Sequence, residues 1–530
     1  MRLAVLLVSL TLTLALQVSA QGPSSPKVGP PRGTVFAVGG GSGPDILAKF
    51  IEAAGGPDAF ILTVPTARLN SDLSGAALSD ASAPLKAAGA KNVAVLHTMD
   101  RQVADSDSFV EPIKRAGGVW FGGGAPELII NAYGGTKTAT ELRKVLERGG
   151  VVGGTSAGAV VLASHFIPSM RGALTEQTPQ DAFGFLQGVG IEPHVRAANP
   201  RSWMLKRPDL LHIAADEVTA WVVRGDDAEI IGRGKAFVYR ENPADPREPF
   251  ISLHPGDRYN LSTHTVRRPI ETSSLTAGFV DSLFADFAKP GSPAATVLVA
   301  QDGRILVDKS YNIPDQPQNV PTTSSPSFAL GGLSHAINAI AVQILAADGK
   351  FALTDAPNGS RELAQLLAKN ADMGLPEMTI QGMGWGTPYG AFLRVRVNVQ
   401  RDMLPADLTT GEFLGTVDGL YLWEAALENP RLFPKGPAPM LYLDKPVPSR
   451  PAEVAPPDST FGWLKDSYRG LMRLSLFGEA GGRRNAWVRI PEKRVSVIIL
   501  TNKEDANAEG IAQRITDRLV STAAAIPPVK

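Results

Sequence analysis

Gly149 to Ala163 reads GGVVGGTSAGAVVLA. Within it, Gly154-Thr155-Ser156-Ala157-Gly158 sets one serine between two glycines. The β-branched pair Val151-Val152 leads in as a strand, and Ala157, Ala159, Val160, Val161 and Ala163 lead out with helical spacing. A strand that turns at once into a helix leaves no room for bulky neighbours, so glycine and alanine surround the turn. The serine Oγ is then exposed, with a helix N-terminus behind it that favours an oxyanion. A glycine-rich turn that merely packs a helix on a sheet is the competing reading. The apolar flanks on both sides favour a nucleophile.

Upstream, strands and helices alternate. Thr34 to Val38 is a short apolar run closed by Gly39-Gly40-Gly41, and Ile46 to Ala54 has helical spacing. Ala59 to Val64, Asn92 to Leu96 and Gly118 to Phe121 follow as strands, the last running into Gly122-Gly123-Gly124, and Leu142 to Arg148 is helical. Such alternation predicts an α/β fold with a parallel sheet covered on both faces. Its functional loops lie at the strand carboxyl ends, so the glycines near Gly40 and Gly123 share a crevice with Ser156. The Gly39–Gly43 run lacks the Gly-Lys-Ser/Thr ending and the acid of a nucleotide loop.

The bulk numbers bound the rest. At 530 residues the chain exceeds one ordinary core. Lys plus Arg and Asp plus Glu both number 52, so nothing points to a nucleic-acid partner. Cysteine is absent, which excludes a thiol nucleophile and a zinc–thiolate site. The seven histidines form no ligand motif, and neither metal nor cofactor is expected. Arg2, the apolar LAVLLVSLTLTLAL and Val18-Ser19-Ala20 read as a signal peptide over 1–20, cleaved before a linker at 21–32. The apolar segment is too short for a membrane span, and no later stretch resembles one. A secreted or periplasmic protein without integral membrane contact is expected. A homodimer is left open.

A serine hydroxyl needs a base to take its proton and a third group to hold that base. His194, in the glycine- and proline-shaped GVGIEPHV, is the favoured base. His165 on the helix after the serine, His97 at a strand end, His212 in an apolar run, and His254 and His264 near a boundary are alternatives. Glu217, where a strand begins in HIAADEVTAWVV, is the favoured acid, with Asp216, Glu192 and Glu176 competing. Backbone N–H groups of Gly123, Gly124 and Ala157 are candidates for an oxyanion hole. The histidine precedes the acid in the chain, unlike the ordinary α/β-hydrolase order, and a glutamine amidotransferase would need cysteine at the elbow.

Taken together, FAVGGGSG, LTVPTA, GGVWFGGG, GGTSAGA, the His194 loop and DEVTAWVV resemble the cyanophycinase and aspartyl dipeptidase serine peptidases. The likeness covers roughly Gly33 to Leu261. It implies a class I glutamine-amidotransferase-like, flavodoxin-like sandwich. It also implies a Ser156-His194-Glu217 triad and hydrolysis of peptide or isopeptide bonds beside an aspartyl residue. Family members usually have Asp-Gln after the triple glycine, where Ala125-Pro126 stand here. They have Asp-Gln before the histidine and Phe after it, where Glu192-Pro193 and Val195 stand. Arginines that hold substrate are partly echoed by Arg196, Arg201 and Arg207, and Glu127 and Glu192 could face an arginine-bearing substrate.

From about Leu275 the chain resembles serine β-lactamases and penicillin-binding-protein-like hydrolases. The likeness rests on ATVLVAQDGRILVDKSYN, FALGGLSHAINAIAVQILAADGKFALTDA and VSVIILTN. Gly332 and His335 stand where that family has Ser-x-x-Lys, and Glu479-Ala480-Gly481 where it has Lys-Thr-Gly. The expected organisation is a peptidase domain over 33–270 and an α+β domain over 271–530 without catalytic motifs. A binding protein built from two degenerate enzymes, or an esterase or amidase using the same triad, are the alternative functions.

Overall fold

The computed structural model describes residues 27–68, 81–167, 180–195, 207–239, 250–269, 275–312, 327–347, 392–393, 403–407, 412–427, 459–460, 463–480 and 483–521. The expected signal peptide, Glu176, Arg196 and Arg201 lie outside the described residues.

β1 (Thr34–Val38), β2 (Phe60–Val64), β3 (Asn92–Val95), β4 (Gly118–Phe121) and β5 (Val151–Thr155) form a parallel centre in the order β1-β5-β4-β2-β3. β1 is buried along its whole length, as a strand covered on both faces must be. Its side chains alternate between two cores: Val35 and Ala37 enter one, Phe36 and Val38 the other. The helix Pro44–Ala53 covers the second core with Ile46, Leu47, Phe50 and Ile51 on one face. Phe50 meets Phe36 and Trp120 edge-on, with ring centroids 5.6 and 4.8 Å away. Each such side chain stabilises by about 1.5–3 kcal/mol on burial. The helix Lys137–Glu147 covers the opposite face with Leu142, Val145 and Leu146.

After β5 the chain is mainly strand: β6 (His165–Phe166), β7 (Gln180–Asp181), β8 (Val189–Pro193), β9 (Leu211–Ala215), β10 (Thr219–Arg224), β11 (Asp227–Gly232), β12 (Ala236–Tyr239), β13 (Phe250–Leu253), β14 (Arg258–Asn260) and β15 (Thr265–Arg267). β10, β11, β14 and β15 extend the first sheet antiparallel from β1, giving nine strands. The others form a second sheet, β13-β12-β9-β8-β6-β7. The sheets are therefore mixed: the parallel centre lies where the alternation of strands and helices predicts it, and antiparallel strands extend it. The connection from β10 to β11 is only Gly225-Asp226, too short for a crossover helix, so these strands pair antiparallel.

The helix after Ser156 is also shorter than its spacing predicts: it spans only Ala157–Val160. Ser164 N–H donates to the Val189 carbonyl, and the chain is drawn into the second sheet. His165 thus lies on β6, not on a helix, with its Nε2 3.1 Å from Asp181 Oδ1.

In the C-terminal half, β16 (Ala295–Gln301) and β17 (Arg304–Tyr311) form the expected hairpin, with Asp302 and Gly303 both at positive φ. β18 (Phe328–Ala329), β19 (Leu404–Asp407), β20 (Glu412–Gly415), β21 (Ser459–Thr460), β22 (Trp463–Tyr468), β23 (Leu471–Ala480), β24 (Arg483–Ile490) and β25 (Val495–Thr501) follow. The larger sheet runs β17-β16-β25-β24-β23-β22-β21, and the smaller β18-β20-β19. Helices Ser334–Ala347 and Val417–Leu427 pack on one face of the larger sheet with Ile337, Ile340, Leu420 and Trp423. The helix Ala508–Ser521 packs on the other with Ile511 and Ile515. Among the described residues, no helix is long and apolar enough to cross a membrane.

Candidate active site

The exit of β1 organises the crevice. Three successive carbonyls, those of Val38, Gly39 and Gly40, accept the backbone N–H groups of Ser156, His194 and Val218 at 3.0, 3.2 and 2.6 Å. The serine, the histidine and the residue after Glu217 thus hang from one strand end. Each of the three is a non-glycine residue at positive φ: Ser156 at 55°, His194 at 53° and Val218 at 52°. Such conformations cost about 1–3 kcal/mol each and persist only where the surroundings hold them. Gly154 permits the elbow itself, because a Cβ there would meet the backbone of Gly158.

The side chains complete what the backbone sets up. Ser156 Oγ lies 2.7 Å from His194 Nε2. His194 Nδ1 is in short hydrogen-bond contact with Glu217 Oε1. With Nδ1 protonated and donating to the carboxylate, Nε2 is free to accept from the hydroxyl. His194 and Glu217 keep 29% and 25% of their side-chain surface exposed, so the group opens to solvent instead of lying sealed in the core. The arrangement can deprotonate an alcohol and hold the resulting imidazolium.

Gly123 comes next to the serine: a Cβ on it would sit 3.2 Å from Ser156 Cβ and 3.7 Å from Oγ. No acceptor among the described residues takes the N–H groups of Gly123, Gly124 or Ala157. The following helix is a single turn, so it puts little dipole behind the serine.

Glu192 lies on β8, two residues before His194, and desolvation pushes its carboxyl up to about 8. Burial, and then the neighbouring carboxyls of Glu192 and Asp216, raise the pKa of Tyr239 at the end of β12, and among the described residues its buried hydroxyl has no hydrogen-bond partner. Tyr239 had no distinguishing signal in the sequence. Glu127 is buried in the first turn of the helix Pro126–Tyr133. Arg207 pairs with Asp209 through two hydrogen bonds, Nε–Oδ1 at 2.8 Å and Nη2–Oδ2 at 2.6 Å.

The other candidate histidines lie apart from Ser156. His97 Nδ1 is 3.0 Å from Thr66 Oγ1, and His212 Nε2 is 2.8 Å from the Arg207 carbonyl; burial lowers the pKa of both. His254 lies near Asp257, and His264 stacks on Tyr259. Asp216 is buried and accepts from Lys235 N–H. In the C-terminal half Ser334 is buried, its Oγ accepting from Phe413 N–H at 3.1 Å.

Residues 36–231 match the description of peptidase family S51. A cyanophycinase of Synechococcus elongatus is 30% identical over 267 residues, covering 44% of this chain and 81% of that protein. The chain belongs to peptidase family S51. A second cyanophycinase, of Geminocystis herdmanii, is 29% identical over 265 residues, covering 44% of this chain and 95% of that protein. A crystal structure of a peptidase from an acI-B1 Actinobacterium is similar at TM-score 0.37 and 24% identity, covering 43% of this chain and 97% of that one. As an S51 member the protein is a hydrolase of the serine-peptidase type. Ser156, His194 and Glu217 all fall inside the matched S51 segment; the whole C-terminal half falls outside it.

Proposed function

We propose that Ser156, His194 and Glu217 are the nucleophile, base and orienting acid of an exported peptidase or isopeptidase that cleaves beside aspartyl residues. The observation that carries this reading is the pair of contacts Ser156 Oγ–His194 Nε2, at 2.7 Å, and His194 Nδ1–Glu217 Oε1. His194 takes the hydroxyl proton as Ser156 Oγ bonds to the scissile carbonyl carbon. The N–H groups of Gly123, Gly124 and Ala157 receive the oxyanion. The tetrahedral adduct collapses as His194 returns the proton to the departing amine, leaving an ester on Ser156. Water, deprotonated by His194, then cleaves that ester and restores the hydroxyl.

The likeness to proteins named cyanophycinase supports a β-aspartyl-arginine bond as the substrate to test first. Glu192 suits the arginyl end. Burial pushes its carboxyl up to about 8, and an incoming guanidinium would draw it into the ionised, bidentate form. Glu127 is a second candidate, and Arg196 one for the substrate carboxylate.

The second half, 271–530, we take as a β-lactamase-like domain without catalysis. A Cβ on Gly332 would lie 2.8 Å from the Phe477 carbonyl oxygen and 3.2 Å from Gly478 Cα, so β23 fills the space that a nucleophile there would need. Secretion through the N-terminal segment 1–20 belongs to the same proposal.

The test is hydrolysis of a β-aspartyl-arginine dipeptide, an α-aspartyl dipeptide and an aryl ester by the full chain. Cleavage of the isopeptide that Ser156→Ala abolishes supports the reading. Preference for the ester assigns an esterase. No acyl-enzyme with any substrate makes the chain a binding protein.

A further inference from the structure

Glu217 reaches the C-terminal half of the chain through two residues. Lys235, between β11 and β12, is buried, and its Nζ pairs with the Asp308 carboxylate on β17. The same Nζ lies 3.2 Å from Asp418 Oδ2, at the start of the helix Val417–Leu427. Side-chain exposure of the three is 9%, 12% and 3%, so this is a desolvated clamp and not a surface ion pair.

The backbone of Lys235 faces the triad. Its N–H donates to Asp216 Oδ2 at 3.0 Å, and its carbonyl accepts Asp216 N–H at 2.9 Å. Asp216 immediately precedes Glu217. One residue earlier, Gly234 N–H donates to Thr219 Oγ1 at 2.8 Å, and that hydroxyl donates to the Glu217 carbonyl at 3.0 Å. Gly234 is wedged in place: a Cβ on it would lie 2.7 Å from Asp216 Cβ and 3.0 Å from Leu422 Cδ2. The turn that carries Glu217 therefore has β1 on one side and Gly234-Lys235 on the other. What backs Gly234-Lys235 is Asp308, Asp418 and Leu422 from the other half.

We infer that the C-terminal half positions the triad acid, with Lys235, gripped by Asp308 and Asp418, as the positioning residue. The inference rests on the proposed triad. It gives the second half a part in the reaction without chemistry of its own: Asp418, 183 residues from Lys235 in sequence, helps grip the lysine whose backbone backs the Glu217 turn. Small displacements of such a group lower the rate steeply while leaving substrate contacts alone. Elsewhere between the halves, Arg494 Nη2 and Asp45 Oδ2 meet at 3.3 Å with side chains 49% and 68% exposed. Among the described residues that pair makes no hydrogen bond or ion pair with Asp216, Glu217, Val218, Gly234 or Lys235, and it serves as the control.

The experiment uses the full chain and a fluorophosphonate probe that labels an activated serine. The labelling rate at saturation is separated from the half-saturating probe concentration. Lys235→Met should lower the saturating rate by about 10- to 100-fold with half-saturation within about twofold of wild type. Lys235→Arg should recover most of the loss, Asp418→Asn should be intermediate, and Arg494→Ala should label like wild type. Near-ultraviolet circular dichroism reports which variants are folded. If Lys235→Met does not fold, Asp418→Asn decides, since it leaves the lysine with Asp308. Folded Lys235→Met or Asp418→Asn labelling at the wild-type rate overturns the clamp alone. A wild-type protein that the probe does not label at Ser156 overturns the triad, and this inference with it.

Discussion

Gly40 and Glu217 lie so close that the glycine has no room for a side chain. They form a parallel bridge, Val218 N–H bonds to the Gly40 carbonyl at 2.6 Å, and a methyl group on Gly40 would fall on the Glu217 carboxylate and crowd His194 Cε1. Gly40→Ala must displace the acid or the imidazole. The expected outcome is a loss of turnover of about 100-fold or more with secondary structure intact, read from kcat and far-ultraviolet circular dichroism. Wild-type turnover in this variant would mean that the carboxylate does not orient the base.

Glu217→Gln asks a different question of the same contact. The amide is the same shape but carries no charge, and its nitrogen can present a donor to Nδ1, favouring the tautomer with the proton on Nε2. That tautomer cannot accept from Ser156 Oγ. Turnover should fall by about 1,000- to 10,000-fold with little change in KM, the scale seen when a triad acid loses its charge. A loss below tenfold assigns the acid's role to another carboxylate.

Much of this site was legible because local rules made it so. Ser156 was marked by its flanking glycines and its strand, and the strand ends at Gly40 and Gly123 followed from the alternation of elements. The hairpin at Asp302-Gly303, the strand Val495–Thr501 and the helix beginning at Ala508 also follow short-range patterns, and the structure has them there. Of the second sheet, the pattern shows the strand Ala236–Tyr239 but not the pairing. Its strands are as short as His165–Phe166, two residues, and no period can be read from two residues. His165 was misplaced for that reason. Lys235 carried no signal at all, because its partners Asp308 and Asp418 come from another half of the chain and only the folded molecule brings them together. Val218 at positive φ was equally hidden, since a β-branched residue there runs against its own preference.

Glu192 makes stability depend on pH. Its folded pKa, about 8, lies above the usual value of 4.5 because burial disfavours the charged form. Between those two values the unfolded chain has released a proton that the folded chain still holds. Stability from this group therefore falls as pH rises through that window, and levels off above the folded value. Glu192→Gln removes the dependence. Thermal unfolding from pH 5 to pH 9 should show the variant gaining on wild type as pH rises, with the gain complete near pH 9. Parallel curves would place the Glu192 carboxyl in water. If the arginyl reading holds, the same variant raises KM for a β-aspartyl-arginine substrate more than it lowers kcat.

Gly332 and Gly478 approach each other across the C-terminal half, and neither has space for a β-carbon: on Gly478 it would lie 2.6 Å from the Leu330 carbonyl and 2.7 Å from Leu333 Cδ1. Gly332→Ser supplies the residue type that the proposed lactamase-like reading would need for a nucleophile, at a position where β23 already lies. Overpacking of this kind costs about 1–3 kcal/mol. The variant should unfold at a lower denaturant concentration than wild type and should hydrolyse no chromogenic β-lactam. It should still cleave the peptidase substrate, since the backbone that the new side chain meets, at Phe477 and Gly478, carries no residue of the Lys235 clamp. Turnover of the β-lactam would mean that β23 does not fill this space in solution, and would overturn the reading of this half as free of catalysis.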